Sequence, residues 1–162
     1  MIVIVIIGVV YTLVISKLQT FGEQKATPNF TNLKEYLLTY MKDADNVKLL
    51  CLNDCDKCSI YRDDKKIKEI KSFFDANVEI YRYDFLQGAV QKRKNVVFNK
   101  EDVEENVCFS LKVRKNSVAD QVIVVYKNKA YDYSNYFSKV GVYDTLDDAV
   151  AEKQKLSQEI MQ

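Results

Sequence analysis

Three hydrophobic patterns divide the chain. Residues 1–15, MIVIVIIGVVYTLVI, are apolar almost without a break, and no charged residue appears before Lys17. Phe30, Leu33, Leu37, Tyr40 and Met41 then recur at spacings of three and four, the single stripe of an amphipathic helix. Pro28 suits the first turn of that helix and Thr27 its cap, which predicts a helix over 28–42. From Val47 the period shortens to two. VKLLCLN, SIYRD, KIKEI, VEIYRY, QVIVVY, AYDY and VGVYD are short runs rich in β-branched and aromatic residues. In NVCFSLKV, Val107, Phe109, Leu111 and Val113 alternate with Cys108, Ser110 and Lys112, a strand with one buried face. Asp63-Asp64 and Lys127-Asn128 read as turns. Thr145-x-x-Asp148 reads as the capping box of a closing helix whose residues 147–155 are rich in charge.

These elements predict an α+β fold: a long N-terminal hydrophobic helix, an antiparallel β-sheet domain and a short C-terminal helix. Residues 1–24 form the hydrophobic segment and residues 25–162 the globular domain, within which the helix over 28–42 packs on the sheet.

Composition narrows the chemistry. The 162 residues carry 24 basic and 23 acidic side chains, a net charge of +1, so no broad field draws the chain to nucleic acid or anionic lipid. Histidine is absent, which removes the commonest general base and metal ligand. Four glycines and one proline leave few of the loops that build active sites. No enzyme activity and no cofactor are implied.

The run IVIVIIGVV resembles the start of the mature N-terminal helix of type IV pilins and type II secretion pseudopilins. Met1 to Val10 match the part after that family's glutamate, with Gly8 at the family's helix glycine. The apolar run of fifteen residues is shorter than the ~20 that span a bilayer, and no basic residue precedes it. The resemblance therefore implies that the leader, the cleavage site and the first few mature residues are missing here. It implies a filament-core and membrane segment made of Ile2, Val3, Ile4, Val5, Ile6, Ile7, Gly8, Val9, Val10, Leu13, Val14 and Ile15. Ser16 stands near the place where many major pilins kink at a proline, which favours a minor pseudopilin. The implied partners are other pilin-like subunits in a helical filament, an inner-membrane assembly platform, and membrane lipid before assembly. Lys17 and Lys25 alone would set the domain in the cytoplasm. The basic leader of the family reverses that count, so the resemblance implies a single-pass inner-membrane protein with its C-terminal domain in the periplasm or extracytoplasmic space. The implied machine is a type II secretion, type IV pilus or DNA-uptake apparatus, with a membrane-anchored binding module for DNA or secreted substrate as the alternative.

CLNDCDKC, residues 51–58, has the C-x3-C-x2-C spacing with which radical-SAM enzymes hold an iron-sulfur cluster. That chemistry requires a far larger barrel and an alternating βα pattern, neither of which this chain offers. Structural zinc uses two cysteine pairs at knuckle spacing, and Cys51 with Cys108 do not make a second one. Disulfides are the simplest reading of Cys51, Cys55, Cys58 and Cys108. Cys51 with Cys58 and Cys55 with Cys58 are both within reach, Cys108 joins whichever is left, and all three pairings stay open.

Two polar clusters complete the inventory. Asp144, Asp147 and Asp148 bring calcium to mind, since major pseudopilins bind it near the C-terminus, but calcium takes roughly six to eight oxygens and helix capping explains these three more simply. Lys92, Arg93 and Lys94, near Lys100, form the one basic run, and with Tyr131, Tyr133 and Tyr136 it is a candidate DNA contact. A solvated hairpin loop is the plainer account of three adjacent charges.

Overall fold

From Asn46 onward the alternation of β-branched and aromatic residues with polar ones favours extended chain, and strands follow one another with short connections. The computed structural model describes residues 27–98, 102–135 and 139–160. Among these a helix, α1 (Leu33–Leu38), precedes β1 (Asn46–Leu52), β2 (Lys57–Arg62), β3 (Lys65–Lys71), β4 (Glu79–Asp84), β5 (Gly88–Gln91), β6 (Val96–Phe98), β7 (Glu104–Arg114), β8 (Ile123–Tyr126), β9 (Lys129–Asp132) and β10 (Gly141–Tyr143). A second helix, α2 (Leu146–Ile160), closes the chain. The strands form two five-stranded sheets, ordered β3-β2-β1-β7-β6 and β10-β9-β8-β4-β5. Neighbouring strands are antiparallel throughout.

The turns follow from the residues expected to make them. Asp63 and Asp64 have φ of 44° and 64°, and Lys127 and Asn128 have 48° and 58°. Two successive left-handed residues make the tight turn whose twist matches the flanking strands. At the start of α2, Asp148 Oδ2 accepts from Thr145 N at 3.1 Å, and Thr145 Oγ1 accepts from Asp148 N at 3.1 Å. The capping box is thus reciprocal, and two backbone donors left free by the first turn are satisfied.

The expected α+β architecture is corrected. The described residues are mostly strand, in two sheets rather than one, with helices of only six and fifteen residues. The stripe expected to run as a helix over 28–42 keeps helical geometry only from Leu33 to Leu38. Asn29 and Asn32 exchange backbone-to-side-chain hydrogen bonds of 2.8 and 2.9 Å, and this holds the preceding segment as a turn with Pro28 outside the helix. At the other end Lys42 adopts φ of 42°, which a continuing helix cannot hold. The long N-terminal helix was placed on residues 1–24, which lie outside the described residues, as do Ile2 to Ile15 individually. Single-pass anchoring in an inner membrane is corrected too. Among the described residues no helix is long and apolar enough to cross a membrane, and α2 is interrupted by charge at Asp147, Asp148, Glu152, Lys153 and Lys155.

Phe30, just ahead of α1, occupies the space between the sheets. Its ring centroid lies 5.1 to 5.7 Å from those of Phe73, Phe74 and Phe109 on one side and Tyr126 and Tyr131 on the other. Leu33 and Leu37 of α1 are fully buried with Val47, Leu49 and Ile60 of the first sheet. Tyr133, 1% exposed, donates its hydroxyl hydrogen bond to the Phe30 carbonyl and so joins the second sheet to the chain entering α1. The far face of the second sheet is covered by α2, with Ala149 packed on Ile123 and Ala130. Asp132 is fully buried there. It accepts from Ser134 N and Oγ at 2.8 and 2.6 Å and pairs with Lys153 Nζ of α2 at 2.7 Å. The partner matters, because an unpaired carboxylate at that depth would be costly.

Removing the Phe30 ring empties a site contacted from both sheets, and Phe30→Ala will cost about 3–5 kcal/mol of unfolding free energy in urea denaturation. Burial holds the Tyr133 phenol well above its ordinary range. The unfolded chain releases that proton near pH 10 while the folded chain keeps it, so this group's contribution is complete below about pH 10 and is lost as pH rises above it. Denaturation midpoints measured from about pH 8 to about pH 11 will decline, and Tyr133→Phe, lacking the proton, will flatten that decline.

Candidate functional site

The four cysteines lie where the β1–β2 loop meets β7. Cys51, one residue before the end of β1, lies directly opposite Cys58 of β2, with Cα atoms 4.1 Å apart, and the two are bridged. Cys55 and Cys108 form the second bridge, with Cα atoms 5.6 Å apart, and no cysteine is left free. This fixes the pairing that spacing left open and spends every thiol that a cluster or zinc would need as ligand. Cys55 reaches β7 because the loop is sharply turned. Asn53 and Cys55 adopt φ of 51° and 65°, and Cys55 N donates to Leu52 O at 3.0 Å. The loop is then tied down by Asn53 N donating to Asn106 O at 2.7 Å.

Cys108 sits in a β-bulge. Cys51 pairs with Phe109, but the next residue, Leu52, pairs with Val107, so Cys108 is the extra residue on β7. The bulge corrects the expected alternation. Phe109, Leu111 and Val113 are fully buried, whereas Val107 turns to the other face and lines an open groove with Leu50 and Ser110.

Beside this bulge the chain crosses from one sheet to the other. Lys92 N donates to Ile80 O at 2.8 Å in the second sheet, and Val107 N donates to Asn95 O at 2.8 Å in the first. The four residues 92–95, anchored at both ends, form a strap, and Lys92, Arg93 and Lys94 on it are all exposed. Under the strap is a groove of about 230 Å³ lined by Val78, Ile80 and Cys108, with Glu79 the one acid on its wall among the described residues. A wider groove of about 540 Å³ adjoins it on the outer face of the first sheet, where Lys94 and Lys48 stand beside Leu50, Val97 and Val107. The basic run is therefore neither a hairpin tip nor isolated, since Lys48 from β1 extends it.

Neither described tyrosine of the candidate DNA contact lies on this surface. Tyr133 is in the core, Tyr131 packs against Phe30, and Tyr136 lies outside the described residues. Lys100 lies outside them too. The acidic cluster is engaged in local contacts. Asp148 caps α2, and Asp144 accepts from Lys129 Nζ at 2.6 Å, a contact that lowers the carboxyl's proton affinity and raises the ammonium's. Lys48, Val96 and Phe98 escape a reading by sequence. Only the short apolar run NVVF beside the basic stretch hinted that a strand edge follows the strap.

Compared with known proteins, the chain matches no protein-family model, no curated protein and no solved structure.

The bridges are unequal in what they constrain. Cys55–Cys108 spans 53 residues and Cys51–Cys58 spans 7, so in chain-entropy terms they are worth about 4 and about 2.5 kcal/mol. Urea denaturation of the paired variants Cys55→Ala/Cys108→Ala and Cys51→Ala/Cys58→Ala will give the larger loss for the first pair, and a reductant added to the unaltered chain will exceed either.

Proposed function

We propose that this chain is a non-catalytic assembly subunit. Its apolar first segment packs against like segments of other chains, and its disulfide-braced β body is displayed to partners. The observation that carries the reading is the uncharged run Ile2–Ile15 ahead of a body that buries an apolar core of its own from Phe30 onward. Phe30, Leu33 and Leu37 are buried in that core. An uncharged apolar segment of that length in water favours association with other apolar surfaces. Its resemblance to the opening of pilin-like subunits supports association with its own kind, in a filament of a secretion, pilus or DNA-uptake machine.

The body supports a structural role. The cysteines brace it, and histidine is absent from the chain, so the common nucleophile and base pairings lack members. Among the described residues its displayed surface includes strand edges, the strap and open grooves beside it.

Sedimentation velocity tests this reading. The full chain without detergent is expected to sediment as an assembly of many copies, and Ile4→Glu/Ile7→Glu as a monomer with both disulfides and the β-type circular dichroism intact. A monomeric unaltered chain, or a double variant that assembles to the same size, overturns the proposal.

A further inference from the structure

The two edges of the first sheet are guarded differently. β3 carries Lys65, Lys66, Lys68 and Lys71 within seven residues, a charge density that discourages another strand from pairing. β6, at the opposite edge, is Val96-Val97-Phe98 and carries no charge. Val96 is 45% and Phe98 66% exposed, and Val103 beside them is 53% exposed. Among the described residues no strand pairs with the outer side of β6, and an uncharged apolar edge of that kind is a template for strand addition.

What flanks this edge selects the addition. Val97 and Val96 both border the wider groove with Lys94 and Lys48, and along the strand the side chains of Val96 and Phe98 alternate with that of Val97. Lys92 and Arg93 continue the cations along the strap, and the acids nearest them among the described residues are Glu79 on the groove wall and, one strand farther in on β7, Glu105 and Glu104 opposite Val97 and Phe98. We infer that β6 accepts an extended segment of a partner polypeptide in which carboxylate and apolar side chains alternate. One face of the added strand lies along Val97 and brings its carboxylates to Lys48, Lys94 and the strap. The other face sets apolar side chains against Val96 and Phe98. A polypeptide fits this surface better than a nucleic acid does. A strand edge recognises backbone amides, and of the tyrosines proposed to stack bases Tyr133 is buried and Tyr131 packs against Phe30. This docking concerns the body alone and is independent of residues 2–15.

The test is fluorescence anisotropy with the full chain in a nonionic detergent and a labelled peptide of alternating valine and glutamate. The expected result is saturable, salt-weakened binding. Affinity will fall about tenfold or more in Lys92→Glu/Arg93→Glu/Lys94→Glu and again in Val96→Lys/Phe98→Lys. Lys65→Glu/Lys71→Glu on the guarded edge will leave it unchanged. All these positions are at least partly exposed, and circular dichroism with disulfide mapping will confirm that each variant is folded. The inference is overturned by no saturable binding at millimolar peptide, or by equal binding of a peptide with the same residues in two blocks. It is also overturned by tighter binding of oligothymidylate of the same charge, which would make the strap a nucleic-acid contact. A self-association that excludes the peptide and is lost in Val96→Lys/Phe98→Lys would put a second copy of this chain on the edge instead.

Discussion

The bridge between Cys55 and Cys108 is the constraint on which the displayed surface depends. It pins the β1–β2 loop to the bulge of β7, and the bulge is what turns Val107, still largely buried, to the sheet's other face, where it borders the open groove. Val107 N in turn anchors the end of the strap through Asn95 O. Loop, bulge and strap anchor thus fall within two residues of one covalent link. The Cys51–Cys58 bridge, lying across a strand pair already in register, adds stiffness to a local contact. The longer bridge fixes where two distant stretches meet.

That arrangement explains how two sheets with little direct hydrogen bonding between them act as one body. Phe30 supplies the apolar contact between them, and the Tyr133 hydroxyl on the Phe30 carbonyl supplies a polar one. On the other side the strap ties β4 to β7 through its two end hydrogen bonds. The buried Asp132–Lys153 pair then fixes α2 on the outer layer. Each tie lies at a different depth, so the cations of the strap are free to face solvent because its backbone, not its side chains, holds the sheets.

Much of the local structure was legible because single residues carried a physical signal. Asp63-Asp64 and Lys127-Asn128 tolerate the left-handed region, and Thr145 with Asp148 has the reciprocal donors and acceptors of a cap. Phe109, Leu111 and Val113 alternate as one buried face. What failed depended on distant contacts. The stripe from Phe30 to Met41 has helical spacing, yet its ends are set by the Asn29–Asn32 exchange and by Lys42. β5 and β6 are too short to announce themselves, and they are strands only because β4 and β7 pair with them. Tyr133 looks like part of an exposed aromatic run, but its partner is Phe30, 103 residues away. Cys108 sits within a clean alternation that only a bulge could interrupt.

The bulge also answers why CLNDCDKC has cluster-like spacing without cluster chemistry. A cluster needs three thiolates converging on one point, whereas here Cys51 and Cys58 point to each other across a strand pair and Cys55 is turned by its positive φ toward β7. The spacing is set by the geometry of a bridged hairpin whose loop must also reach a third strand. With no thiol left over, the chemistry of this region passes to what the bridges hold in place: an uncharged strand edge with cations aligned beside it.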